Sequence, residues 1–176
     1  MRAVILSIGS ELMQGFLTDT NATFLTQELS AIGIEPIGVY QVGDDLDRIV
    51  RAFERALADA EIVIASGGIG PTEDDLTREA IAAVCDEQVQ VDEAIVDDIR
   101  SFFNSRGIPM PEQNVKQAWL IPSAETLLNP MGTAPGWFVR RGDRVIACMP
   151  GVPREMRRMF SEQVVPRLLP LLSGAV

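Results

Sequence analysis

Ile62-Val63-Ile64-Ala65-Ser66-Gly67-Gly68-Ile69-Gly70-Pro71-Thr72-Glu73-Asp74-Asp75-Leu76-Thr77 is the stretch from which the rest of the chain can be read. An apolar run enters a turn with three glycines, meets three carboxylates, and leads into a segment, Leu76 to Val84, that can be helical. Glycine lets a backbone approach a ligand and exposes amides that suit phosphate, whereas clustered carboxylates suit a hard cation. Together they point to a metal–phosphate site more strongly than either does alone. A plainer reading makes Thr72 an N-cap and lets Glu73, Asp74 and Asp75 complement a helix dipole. A cap needs one polar residue, however, not a Gly-Gly-x-Gly-Pro run ahead of it.

Working outward, the same alternation recurs on the N-terminal side. Ala3 to Ile8 is a continuous apolar run, as in a strand buried on both faces of a parallel sheet. Gly9-Ser10-Glu11-Leu12-Met13-Gln14-Gly15 follows as a loop; Phe16-Leu17 stand where a Walker A loop would need Lys and Ser/Thr. Asp19-Thr20-Asn21 offers caps for a helix striped by Ala22, Leu25, Leu29 and Ile32 and stopped by Gly33. A second strand over Ile34 to Val42 and a helix capped by Gly43-Asp44-Asp45 complete the approach to Glu61. The order β-α-β-α-β-α predicts an α/β fold: a mainly parallel sheet with helices on both faces.

Toward the C-terminus, helices are expected from Asp92 to Gly107 and from Pro111 through Ala118. Short strands follow at Thr126 to Leu128, Gly136 to Arg140 and Arg144 to Met149, the last two joined by a hairpin at Arg141-Gly142-Asp143. A final helix comes after Pro150-Gly151-Val152-Pro153. The whole of residues 1–176 is expected to be a single domain, with an apolar tail over residues 164–176 that packs on the body, on a partner subunit or on a following domain.

Composition narrows the chemistry. A net charge of −10 excludes the basic surface that nucleic acid requires. With no histidine there is no Ser-His-Asp triad, no Cys-His dyad and no imidazole ligand. Cys85 and Cys148 lie far apart among apolar neighbours and read as buried free thiols, too few for zinc. Met1 to Leu6 lacks a signal-length apolar region and the tail is too short to span a bilayer, so a cytoplasmic protein without membrane contact is expected.

Gly9–Gly15, Ser66–Asp75, Asn129–Gly136 and Pro150–Pro153 share one glycine-rich design. Loops at the carboxyl ends of parallel strands line one crevice, where ligands of open α/β sheets bind; Asn129–Gly136 joins the group on composition alone. Individually, Glu11 could be an exposed loop acid and each remaining loop an ordinary turn. Two acids beside a bound phosphate would repel it by about 4 kcal/mol per like-charge pair at 4 Å and an effective dielectric near 20. A cation between them is therefore expected: Mg²⁺, Mn²⁺ or Co²⁺, with K⁺ a further candidate. The residues themselves lead as far as metal-assisted chemistry on a phosphoanhydride.

Several of these motifs resemble a known family. Gly67-Gly68-Ile69-Gly70-Pro71-Thr72-x-Asp74-Asp75-x-Thr77, Asn129-Pro-x-Gly132-Thr133-Ala134-Pro135-Gly136 and Pro150-Gly151-Val152-Pro153-x-Glu155-Met156 are similar to the N-terminal domain of CinA, the competence/damage-inducible protein. Gly9-Ser10-Glu11-Leu12 with Asp19-Thr20-Asn21, and Met110 with Asn114, Gln117 and Ala118, match it too. The resemblance runs from Met1 to about Val165. It implies the molybdopterin-binding fold shared with MoaB, MogA and the central domain of MoeA, a three-layer α/β/α sandwich. It also implies hydrolysis of the pyrophosphate bond of ADP-ribose or a related nucleotide, giving AMP and ribose 5-phosphate. The alternatives are molybdopterin binding with adenylyl transfer, and a nucleotide-binding module without catalysis.

On this resemblance Asp75, Asp74 and Glu11 are the expected catalytic residues and also the expected metal ligands. Gly9, Ser10, Asn21, Gly67, Gly68, Gly70, Thr72, Gly132, Thr133, Gly136 and Gly151 are expected at the bound nucleotide. Self-association is expected from the superfamily and the apolar tail. CinA continues into a second domain and an amidase domain beyond the position of Val176, so deamidase chemistry is not expected of these residues. The first loop also departs from the leucines more usual in CinA.

Overall fold

The computed structural model describes residues 1–172 and Gly174. Its centre is a six-stranded sheet of β1 (Arg2–Ile8), β2 (Glu35–Val42), β3 (Ile62–Ser66), β6 (Ala124–Leu127), β7 (Gly136–Arg141) and β8 (Arg144–Met149). Across the sheet the order is β2-β1-β3-β8-β7-β6. The β2/β1, β1/β3 and β3/β8 pairs are parallel, and only β7 runs against its neighbours, as the expected hairpin requires. The central strands are buried on both faces, which is why their sequences are continuous apolar runs. Strand β2 lies at the edge, and its burial alternates instead.

Two cores sandwich the sheet. On one face Val4, Leu6, Val63, Ala65 and Ile146 pack under Ile49, Phe53 and Ala56 of α3 (Leu46–Asp59) and Ala80 and Ile81 of α4 (Thr77–Cys85). On the other, Ala3, Ile5, Ile64, Phe138 and Met149 meet Leu25 and Leu29 of α2 (Thr20–Ala31) and Met156 and Met159 of α6 (Pro153–Met159). This is the expected three-layer α/β/α sandwich. Residues i and i+1 of each strand belong to opposite cores, so a one-residue register slip would misplace every central side chain. The expected caps of α2 and α3 are present: Asp19 accepts from Ala22 N and Asp45 from Arg48 N.

Four details differ from the sequence reading or add to it. The first loop is partly helical, as α1 (Ser10–Met13), because Glu, Leu and Met favour helix until Gly15 turns the chain at φ 74°. Helix α4 starts at Thr77 with Leu76 as its uncapped N-terminus, so Glu73, Asp74 and Asp75 precede it and Thr72 is no cap. A two-stranded sheet of β4 (Gln90–Val91) and β5 (Trp119–Leu120) is present, too short to announce itself in the sequence. It flanks α5 (Glu93–Asn104) and the 3-10 helix Glu112–Ala118, which share the small core of Val96, Ile99 and Ala118. Cys85 is only half-buried, whereas Cys148 is buried as expected.

In the apolar tail, the π-helical turn Phe160–Val164 and α7 (Val165–Leu172) seat Val164 and Leu168 in the second core. Ser173, Ala175 and Val176 lie outside the described residues. Among those described, no helix is long and apolar enough to cross a membrane.

Burial pushes the Cys148 thiol up to about 11 from an ordinary 9.0, with nearby Arg78 opposing the rise. The folded protein therefore holds a proton between these values that the unfolded chain releases. That contribution is complete below about pH 9 and is lost as pH rises to about 11, an effect of at most ~2–3 kcal/mol. Urea titrations should show stability falling across this window, with a shallower slope in Cys148→Ala. The native thiol should also resist alkylation at pH 8.

Candidate functional site

The order β2-β1-β3 places a topological switch point between β1 and β3, because the chain leaves β1 toward one side of the sheet and later returns to its other side. Successive connections, through α2 and α3, cover opposite faces. A crevice at the carboxyl ends of these strands follows from that topology. It is occupied by a cleft of about 850 Å³, bounded by loops after β1, β3 and β8 and by the loop between β6 and β7. The last is Asn129–Gly136. It belongs there because β6 ends, and the reversed β7 begins, at the carboxyl edge of the sheet.

Gly9, Glu11, Gly67, Gly68, Gly70, Thr72, Asp74, Asp75, Gly132, Thr133 and Gly151 all line this cleft, as expected. Ser10, Asn21 and Gly136 do not appear in its lining. Ser10 exchanges hydrogen bonds with Asp44, its N–H donating to Asp44 Oδ2 at 2.9 Å and its Oγ accepting from Asp44 N at 3.0 Å. Asn21 is buried below the floor, where Nδ2 donates to Ser66 Oγ and Gly151 O, both at 2.9 Å. Gly136 is there for packing: a Cβ would lie 2.3 Å from Cys148 O. The contacts of all three are with neighbouring loops and strands.

The glycine turn is fixed from several directions. Gly67 N donates to Met149 O, and Thr77 Oγ1 donates to Gly67 O at 2.7 Å. Lys116 Nζ donates to Thr72 O at 3.1 Å while pairing with Glu79 Oε1 at 2.7 Å. Gly67 has φ 99°, and a Cβ there would lie 2.1 Å from the backbone oxygen of Ile8. Gly67→Ala should therefore lose ~2–4 kcal/mol of stability, read from denaturant midpoints, by combining strained backbone with a steric clash. A wild-type midpoint would refute this account of the turn.

The arrangement leaves a set of donors free. The amides of Gly67 and Gly9 are committed to the carbonyls of Met149 and Val42. Those of Gly68, Ile69, Gly70, Gly132, Thr133, Gly151 and Val152 have no hydrogen-bond partner among the described residues. Three carboxylates stand beside them, each lying against a glycine. A Cβ on Gly9, Gly70 or Gly132 would come within 2.4–2.5 Å of a carboxylate oxygen of Glu11, Asp75 or Glu155 respectively. In this arrangement each acid occupies the space that a side chain on its glycine would take, so a larger residue there would displace the carboxylate.

Asp75 is drawn back over the turn, accepting at Oδ2 from Thr72 N (2.9 Å) and Thr72 Oγ1 (2.6 Å). Thr72 therefore spends both donors on Asp75. Its second oxygen, Oδ1, has no partner among the described residues. Among those residues no three His, Cys, Asp or Glu side chains are grouped to hold a metal. The expected Glu11–Asp74–Asp75 ligand set is thus not a ready-made cage: Glu11 sits on α1, Asp74 is exposed, and Asp75 is turned toward Thr72.

Two residues were missed by sequence reading. Glu155 lies in the first turn of α6 and accepts from Asn129 Nδ2 at 2.8 Å, tying α6 to the Asn129–Gly136 loop. Its place within the Pro-Gly-Val-Pro-x-Glu motif was the available signal. Arg78 is fully buried; it donates through Nη1 to Ile69 O (2.5 Å) and through Nη2 to Pro135 O (2.8 Å), so one guanidinium clamps two walls of the cleft. Burial lowers its pKa, opposed by Cys148, Glu79 and Asp75. Nothing in the local sequence distinguishes Arg78 from a solvated helical arginine.

Residues 4–170 match the family model described as "Probable molybdopterin binding domain". A CinA-like protein of Thermomicrobium roseum is 62% identical over 174 residues, covering 99% of this chain and 43% of that protein. The chain thus spans less than half the length of this curated relative. The crystal structure of CinA from Thermoplasma acidophilum superposes with a TM-score of 0.85 at 33% identity, covering 94% of this chain and 96% of that one. The tungsten cofactor synthesizing protein MoaB from Pyrococcus furiosus shares the fold at 18% identity, with a TM-score of 0.63 and coverage of 99% and 96%.

Proposed function

This chain belongs to the molybdopterin-binding-domain family and to its CinA-like members, and from that premise we propose that it hydrolyses the pyrophosphate bond of ADP-ribose or a closely related nucleotide. The observation that supports this most is the combination of unpartnered amides on three loops with carboxylates between them. The amides of Gly68 to Gly70, Gly132, Thr133 and Gly151 would hold diphosphate oxygens. Asp75, oriented by Thr72, would accept the proton of an attacking water through Oδ1. The water oxygen would bond to one phosphorus while the bridging P–O bond breaks, leaving AMP and ribose 5-phosphate.

A hard divalent ion needs only one or two carboxylates when phosphate oxygens complete its shell, so Glu11, Asp74 and Asp75 could contribute singly to an ion carried in with the diphosphate. Its chemistry would be to offset the repulsion between acids and phosphate and to polarise the phosphoryl group. The test is AMP release from ADP-ribose with Mg²⁺, Mn²⁺ or Co²⁺, with and without K⁺. No AMP under any of these conditions would defeat the proposal.

The family-model description supports molybdopterin binding, and a second reading adds adenylyl transfer to it, which involves the same class of bond. Restored cofactor synthesis in a strain lacking molybdopterin adenylyltransferase would favour it over the first. Self-association is part of the same proposal, and a monodisperse monomer by light scattering would count against it.

A further inference from the structure

One motif of the sequence, Met110 with Asn114, Gln117 and Ala118, contributes nothing to the lining of the cleft. Three of its residues build the 3-10 helix Glu112–Ala118 instead. Asn114 and Gln117 are buried, with Asn114 Nδ2 donating to Gln117 Oε1 at 2.8 Å. Ala118 packs with Val96 and Ile99 of α5, and its carbonyl accepts from Asp92 N at 2.9 Å. The next residue is tied to the main sheet, since Trp137 Nε1 donates to Trp119 O at 3.0 Å. A short helix fixed by its buried face and by the strand after it holds its remaining side chains at set positions.

Lys116 is the side chain that this mount delivers to the glycine turn. Its Nζ pairs with Glu79 Oε1 at 2.7 Å, donates to Thr72 O at 3.1 Å and lies 5.6 Å from the ring centroid of Trp119. The side chain is only 13% exposed, so an ordinarily flexible stem is held at three points. Thr72 O also accepts from Asp75 N at 3.2 Å, while Thr72 N and Oγ1 both donate to Asp75 Oδ2. Thr72, Glu73 and Asp74 are exposed, so packing alone does not fix this turn. Among the described residues, the Lys116 bond is the one hydrogen bond that reaches residues 70–75 from outside that segment.

We propose that Lys116 is a positioning residue for hydrolysis: it holds the Thr72 carbonyl so that Asp75, bonded three times to Thr72, presents Oδ1 to the attacking water. The proposal rests on the reading of Asp75 as general base. Lys116 lies outside the cleft lining, so it acts through Thr72 and not on the diphosphate.

Lys116→Met keeps the stem and removes the donor. It also leaves the partly buried Glu79 unpaired, so the same measurements are made on Lys116→Met/Glu79→Gln, in which that charge is gone. In both, kcat for ADP-ribose should fall about 10- to 100-fold, the cost of a displaced catalytic group, while KM and pyrophosphate affinity by calorimetry change less than about threefold. Amide hydrogen exchange at Thr72 and Asp75 should quicken about tenfold relative to exchange in β1 and β3. Lys116→Arg, which retains charge and donors, should recover part of kcat. In an Asp75→Asn background, Lys116→Met should lower the residual rate less than about twofold, because no base remains to be oriented. A merely structural loss would carry over in full. Full carry-over, or wild-type kcat in a folded Lys116→Met protein, would overturn the positioning role and leave the hydrolytic reading intact. Unchanged exchange at Thr72 and Asp75 would do the same. A wild-type protein that releases no AMP would defeat the hydrolytic reading and the proposal with it.

Discussion

Under the proposed reaction, an Asp75→Asn protein should lose ADP-ribose hydrolysis by about 10²–10⁴-fold, the range for removing a general base, while keeping its fold. The side-chain oxygen of Asn can still accept from Thr72 N and Thr72 Oγ1, the two bonds that orient Asp75. What is lost is the negative charge and the proton-accepting oxygen. In the absence of any divalent ion, that loss has a second consequence. A carboxylate near a phosphate opposes its binding, by about 4 kcal/mol at 4 Å and an effective dielectric near 20, before screening. Pyrophosphate should therefore bind Asp75→Asn more tightly than wild type when metal is chelated, and this advantage should shrink as Mg²⁺ is added. A residue that merely shaped the turn would lower rate and affinity together. Hydrolysis undiminished in Asp75→Asn would eliminate the assigned role.

Arg78→Met should be the most disruptive substitution for the cleft as a structure. Methionine fills much of the volume but leaves Ile69 O and Pro135 O buried without their donors. Each carbonyl left buried and unsatisfied costs ~1–3 kcal/mol. Arg78→Lys should recover only part of this, since one ammonium lacks the planar fork that spans both carbonyls. Because the two carbonyls belong to opposite walls, pyrophosphate affinity should fall at least tenfold even at temperatures where the variant remains folded. The check is urea denaturation beside calorimetry at low temperature. Wild-type affinity in a folded Arg78→Met protein would show that the walls keep their spacing without the clamp.

The third carboxylate, Glu155, shows how far sequence reading reached into the site. Its motif was visible, yet the sequence offered no reason to place it in one cleft with Glu11 and Asp75. That requires α6 to begin directly after β8 and the Asn129–Gly136 loop to fold over it, with Asn129 joining them. Asn21 shows the converse. It sits in a matching motif, but its Nδ2 is spent on Ser66 and Gly151, which leaves only the buried Oδ1 without a partner among the described residues. A motif preserves whatever a loop needs, and the same residues suit ligand contact or loop support. The three expected metal ligands share one cleft but, among the described residues, form no ready-made group of three, because acids near in motif need not converge in space.

The amino-acid sequence by itself determined the layered architecture. Continuous apolar strands separated by amphipathic helices have one economical solution, a parallel sheet covered on both faces, and β1, β3 and β8 obey it to the residue pair. It also determined the glycine turn: at Gly67, with φ 99°, a Cβ would lie 2.1 Å from the Ile8 backbone oxygen, a position no other residue type fills easily. Only the tertiary structure decided which donors and acids remain available within the cleft. Free amides, the orientation of Asp75 by Thr72 and the burial of Arg78 depend on pairings between segments far apart in the chain. Hydrogen bonds of that kind are settled by packing, after local propensities have chosen the strands and helices.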